Sequence, residues 1–181
     1  ASSFETEEDE AELLRDLHLL TMKPNLYVMN IHESQIGTNV HEGLQVPKEK
    51  VIPISAKVEE DLVGFSDEEA EQYLKDLAMA ESGLNALIRS AYGALNLMTF
   101  FTAGPQEARA WTIDKGTYAP QAAGKIHTDF EKGFIKAEVI PYEDYIMAGG
   151  EAKAKEKGLM QLSGKDYIIQ DGDVVYFHVR T

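Results

Sequence analysis

Two β-prone runs, Met98 to Ala103 and Ala108 to Ile113, flank Gly104-Pro105-Gln106-Glu107, and that pattern predicts a hairpin. A lone hairpin is marginal in water, so it demands further strands or a helix against its apolar face. The residues downstream supply both. Ala119 to His127 can form one short helix, Phe134 to Ile140 alternates as another strand, and residues 142–157 read as charged helix. Tyr167 to Gln170 and Val174 to Val179 flank Asp171-Gly172-Asp173, which predicts a second, closing hairpin.

Strand, strand, helix, strand and late strands is the order of a β-grasp (ubiquitin-like, α+β) fold, expected over residues 97–181. The aromatics Phe100, Phe101, Trp111, Phe130 and Phe134 are read as its core. Residues 1–96 have a different texture. Leu13, Leu14, Leu17 and Leu20 mark one apolar helical face that Lys23-Pro24 ends. Leu26 to Ile31 and Val51 to Ser55 read as short strands, the second with Pro53 at a tolerated position. Ser66-Asp67-Glu68-Glu69 is a capping box that opens a helix. Leu84, Leu87, Ile88, Ala91 and Leu95 repeat at helical spacing after Gly83. Alternating helices and strands point to part of an α/β sheet, with a boundary near 96–98.

Charge separates the two parts as well. Residues 97–181 carry 10 Lys/Arg and 12 Asp/Glu, against 7 and 19 in residues 1–96, within a total of −14. An acidic surface repels phosphate backbones, so the first part is a poor nucleic-acid binder. In the second, Lys115, Lys125, Lys132 and Lys136 interleave with the aromatics and are the candidate RNA or ribosome surface; solvated lysines on a small domain are the plainer alternative. There is no cysteine, hence no disulfide or thiolate metal site. No apolar run is long enough to span a membrane and no secretory signal opens the chain, so a cytoplasmic protein without membrane partners is expected.

Chemistry concentrates at two strand ends. Asn30-Ile31-His32-Glu33 follows the first strand and Ser55-Ala56-Lys57 the second, the places where α/β sheets bind ligands. GTPases read guanine at such a pair of loops with Asn-Lys-x-Asp and Ser-Ala-Lys. The Asp accepts from guanine N1–H and the amino group, a donor pair that adenine lacks, so an Asn-x-x-Glu version need not hold guanine. Asp61-Leu62-Val63-Gly64 matches the D-x-x-G of a magnesium switch but lies after the base-reading loops rather than before them. Gly164-Lys165 imitates a P-loop end, yet Leu159 and Asp166 stand where Gly and Ser/Thr are required. The histidines at 18, 32, 41, 127 and 178 lack metal-ligand spacing, and no nucleophile elbow is present. No catalytic residue and no metal site are expected.

Taken together the segments resemble the YchF, or Obg-like ATPase, family. The resemblance is carried by Leu13-Leu14-Arg15, Asn30 to Glu33 and Pro53 to Lys57. It continues through Gly83-Leu84 with Ala91-Tyr92 and through Thr99 to Pro105. Its densest stretch runs from Arg109-Ala110-Trp111-Thr112-Ile113 through Ala119 to Gly124 and Ile126 to Glu131, ending at Gln170 to Val174. The family joins a P-loop G domain, a coiled-coil insertion and a TGS domain, uses ATP with Mg²⁺, and associates with ribosomes. The resemblance implies that residues 1–96 are the end of the G domain and 97–181 the TGS domain. Asn30 would then bond the adenine edge, with Ile31, Ser55, Ala56 and Lys57 packed around the base and Glu33 marking the loss of guanine preference. The P-loop, magnesium switches and coiled coil would lie upstream, in a missing amino-terminal half that is itself a partner. This stretch alone is therefore expected to hydrolyse no ATP and to bind it no better than about millimolar, about −4 kcal/mol. Residues 10–96 are expected to be poorly folded alone. The rival reading is a stand-alone TGS module that binds RNA, ribosome or a small nucleotide without catalysis.

Overall fold

The computed structural model describes Leu14, residues 16–104 and residues 107–180. The chain divides into two compact units, Ala1–Leu95 and Asn96–Thr181.

In the first unit, β1 (Tyr27–Asn30) and β2 (Val51–Ile54) form a two-stranded parallel sheet in which Tyr27 pairs with Val51 and Asn30 with Ile54. Three helices follow β2: α1 (Ala56–Leu62), α2 (Asp67–Asp76) and α3 (Gly83–Ala94). The box at Ser66 closes as expected, with the Glu69 amide donating to Ser66 Oγ at 3.3 Å and the Ser66 amide to Glu69 Oε2 at 2.8 Å. At the start of α3 Gly83 lies against β2; a Cβ there would stand 3.1 Å from Ile54 Cα. Val51, Ile52 and Val58 are buried. Leu84 and Ile88, however, are about half exposed, with Val28 beside them in that class. The helix expected at Leu13–Leu20 lies largely outside the described residues; its end passes into a 3₁₀ turn at Leu20–Met22.

The second unit is a five-stranded mixed sheet in the order β4-β3-β7-β5-β6. Its strands are β3 (Leu97–Ala103), β4 (Ala108–Asp114), β5 (Phe134–Pro141), β6 (Gln161–Ser163) and β7 (Asp173–Val179). The β3–β4 hairpin is as expected, with Phe100 opposite Trp111. Helix α4 (Ala119–Ile126) lies on the sheet through Ala119, Ala122 and Ala123, all fully buried; methyl-sized side chains allow this close approach. Met98, Phe100, Ile113, Phe134, Val139, Ile169 and Val175 complete that core. Successive strand residues face opposite ways, so Ile140 belongs to a second cluster with Ala148 and Ala154. That cluster is contributed by α6 (Tyr142–Ala148) and α7 (Glu151–Glu156), and Gly149 at φ 80° separates these two helices where the sequence pattern suggested one. A short helix α5 (Thr128–Gly133) and the edge strand β6 were not visible in the sequence pattern.

The expected closing hairpin does not exist. β7 pairs antiparallel with β5 and parallel with β3, while residues 167–170 make only an isolated bridge, Tyr118 to Ile168. Two aspartates explain why. Asp171 Oδ1 accepts from the Thr99 amide at 2.8 Å, and the Gly172 amide donates to the Thr99 carbonyl at 2.8 Å, which docks the turn onto β3. Asp173 Oδ2 accepts from both Tyr167 Oη and the Gln170 amide, each at 2.8 Å. Residues 167–170 therefore curl back, satisfied by side chains instead of a strand partner. Ile169 enters the core and its amide donates to the Thr117 carbonyl. Among the described residues no helix is long and apolar enough to cross a membrane.

Candidate functional site

The two candidate loops meet at the carboxyl ends of β1 and β2. The parallel register brings Asn30 opposite Ile54, and the Ile31 amide extends the ladder by donating to the Ile54 carbonyl at 2.9 Å. Asn30 Oδ1 then accepts from the Ala56 amide at 3.3 Å, across 26 residues of sequence. Ser55 is buried at 3% exposure, and its Oγ finds no partner among the described residues. Glu33 opens a 3₁₀ turn, Glu33–Gln35, that His32 caps: the His32 ring accepts from the Ser34 amide, and Gln35 Oε1 accepts from the His32 amide at 2.9 Å. Asn30, Ile31, Ser55 and Ala56 thus form one contiguous edge, with Glu33 exposed on the loop beyond it.

Lys57 is engaged elsewhere. Its Nζ donates to Asp61 Oδ1 at 2.7 Å and lies 3.6 Å from Glu60, one turn along α1. Asp61 also accepts from Tyr73 Oη of α2 at 3.1 Å. The hydrogen bond from Lys57 holds the Asp61 carboxyl below its usual range, and the same bond raises Lys57. Burial, then the bond to Asp61, raises Tyr73, with the Glu33 charge adding to the effect. The D-x-x-G aspartate is therefore an anchor for the Lys57 head, a role that the i, i+4 spacing of Lys57 and Asp61 could have signalled. Glu59 was also missed. Its Oε1 accepts from the Gly83 amide at 2.8 Å and caps the start of α3 from across the fold.

The four candidate lysines do not share an element. Lys115 follows β4, Lys125 is in the last turn of α4, Lys132 in α5 and Lys136 on β5. Lys136 Nζ lies 3.8 Å from Glu138, which also faces His178 at 3.2 Å. Among the described residues no group of three or more His, Asp or Glu could hold a metal ion.

This arrangement, a parallel strand pair with two loops at its carboxyl ends followed by a five-stranded mixed sheet, defines a mixed α/β class of protein. Residues 97–180 match the family model YchF-GTPase_C, described as a protein of unknown function (DUF933). The chain belongs to the YchF/Obg-like ATPase family and matches its carboxy-terminal part. It is 45% identical to the ribosome-binding ATPase YchF of Bacillus subtilis, over 98% of this chain and 50% of that protein. It is 44% identical to Obg-like ATPase 1 of Xenopus laevis, over 95% of this chain and 46% of the other. The solved Schizosaccharomyces pombe YchF GTPase superposes with a TM-score of 0.75 at 37% identity, covering 97% of this chain and 49% of that one. The chain thus spans about half the length of the curated relatives it matches.

Proposed function

We propose that this chain contributes the adenine-reading loops and a ribosome-docking TGS unit of β-grasp type to an Obg-like, ATP-hydrolysing protein. The observation that carries the base-reading part is the bond from the Ala56 amide to Asn30 Oδ1. It sets one amide side chain and one loop backbone against each other at the end of a parallel strand pair, where a planar heterocycle would meet both. Asn30 offers a donor and an acceptor, which suits an adenine edge. Glu33 is a carboxylate with no lysine two residues before it, unlike the guanine-reading pattern. Lys57 contributes its aliphatic stem, because its ammonium is held by Asp61. Phosphate chemistry needs amides, a lysine and a metal that these residues do not supply, so the chain's own part is recognition of the base.

The docking part is supported by the ribosome-binding relatives, whose similarity runs through the second unit. Two measurements test the proposal. ATP titrated into isotope-labelled chain should move the Asn30 and Ala56 resonances with a Kd of about a millimolar, and Asn30→Ala should abolish the shifts. An equal response to GTP would refute base selection. Co-sedimentation with purified ribosomes over a salt series should give ATP-independent, salt-sensitive pelleting. Absence of pelleting at every salt would refute docking by this chain.

A further inference from the structure

A cleft of about 880 Å³ opens in the second unit between the α4–α5 corner and the end of β7. Ile126, Phe130 and Val179 form its apolar floor, and His127, Lys132 and Arg180 stand around it. We propose that this cleft docks an acidic protein segment that carries one bulky apolar anchor. The inference is independent of the Asn30 site, and it shares Lys132 with the candidate RNA or ribosome surface.

Three observations support it. The first is unused charge. Lys132 and Arg180 are exposed and make no ion pair among the described residues, and among those residues the one carboxylate lining the cleft, Asp129, lies 3.6 Å from His127. A cationic rim on a unit whose sequence is net acidic is an uneven field, and such a field steers an anionic partner. The second is fixed geometry. The Arg180 amide donates to the Gly133 carbonyl at 2.8 Å, and the Arg180 backbone lies so close to Gly133 that a Cβ there would collide with it. The rim is thus held before any partner arrives, which lowers the ordering cost of binding. The third is size. The volume falls in the range of sites that enclose a small ligand, enough for one or two large side chains.

The chemistry of the floor selects peptide over nucleic acid. Two of its three residues are aliphatic, and the one aromatic, Phe130, is half-buried against the core, so the floor lacks the row of exposed rings on which successive bases stack. A phosphodiester strand would need a longer track of cations than Lys132 and Arg180 supply. A carboxylate-rich segment needs only those two charge pairs around an anchored side chain.

The test uses the full chain and a fluorescein-labelled nonapeptide of Glu and Asp with a central Leu-Phe, read by anisotropy. Binding is expected, weakened at least about tenfold by the double variant Lys132→Glu/Arg180→Glu and equally by replacing the central Leu-Phe with Ser-Ser. Both substituted side chains are exposed and without an ion pair among the described residues, so the thermal transition seen by Trp111 should not move. In the unsubstituted chain the peptide should shift the amide resonances of Ile126, Gly133, Val179 and Arg180, which keeps the inference testable if the variant misfolds. Failure of the peptide to bind, or binding indifferent to the charge reversal, would overturn it. So would a decauridine that binds at these resonances and is not displaced by the peptide, since the cleft would then be an RNA site.

Discussion

Replacing Asp173 by alanine should be among the most damaging single changes in the second unit. Asp173 is 3% exposed, and one oxygen, Oδ2, accepts both the Tyr167 hydroxyl and the Gln170 amide at 2.8 Å. Without it two part-buried donors lose a charge-assisted hydrogen bond, each worth about 1.5–3 kcal/mol. Against this stands relief of a buried carboxylate, whose burial already pushes its pKa up. The net loss is about 2–4 kcal/mol, roughly 10–25 °C in midpoint for a unit of this size. Asp173→Asn is the informative partner. It keeps an oxygen where both donors point, so it should cost only about 1 kcal/mol at pH 7. The chain has one tryptophan, Trp111, whose indole donates to Thr102 Oγ1 at 2.9 Å, so its fluorescence reports the second unit alone. The asparagine variant also fixes the pH sign. A carboxyl raised in the folded state stabilises most when protonated, so the wild type should gain on Asp173→Asn as pH falls toward 4. An unchanged Trp111 transition in Asp173→Ala, or asparagine as harmful as alanine, would refute the account.

Other expectations follow from the same structure. Tyr167 is raised above its usual value, first by burial and then by its bond to Asp173, so its stabilisation is present below about pH 10 and lost as pH rises through the folded value. The alkaline side of a pH–stability profile should therefore flatten in Tyr167→Phe, and an unaltered profile would count against the buried hydroxyl. Gly133→Ala should destabilise the second unit by about 1–3 kcal/mol or more, because the collision is with the Arg180 backbone and not with a movable side chain. An unshifted Trp111 melt would show that β7 can yield there. Ser66→Ala should cost the first unit about 0.5–2 kcal/mol by opening the capping box, read as faster amide exchange at Glu69 and Ala70.

Local signals were enough for several elements. Hydrophobic alternation and the Gly104 turn specify the β3–β4 hairpin, and the spacing of Ser66 and Glu69 specifies the start of α2. The same holds for Asn30 and Ser55, whose positions at strand ends follow from short β-prone runs. These features depend on residues within a few positions of one another, so they are legible without any long-range contact. What joined Asn30 to Ala56 was the parallel pairing of β1 and β2, a contact 26 residues long in sequence that no local pattern encodes. The second hairpin fails for the matching reason. Asp-Gly-Asp between two β-prone runs is a hairpin signal until Thr99, 72 residues away, takes Asp171 and β3 takes β7 as a neighbour. The pairing of Lys57 with Asp61 is local, whereas the second partner of Asp61, Tyr73, comes from a separate helix. Pairing and side-chain satisfaction across long loops are decided by which buried donors and acceptors would otherwise be left unmet, and only the tertiary structure carries that accounting.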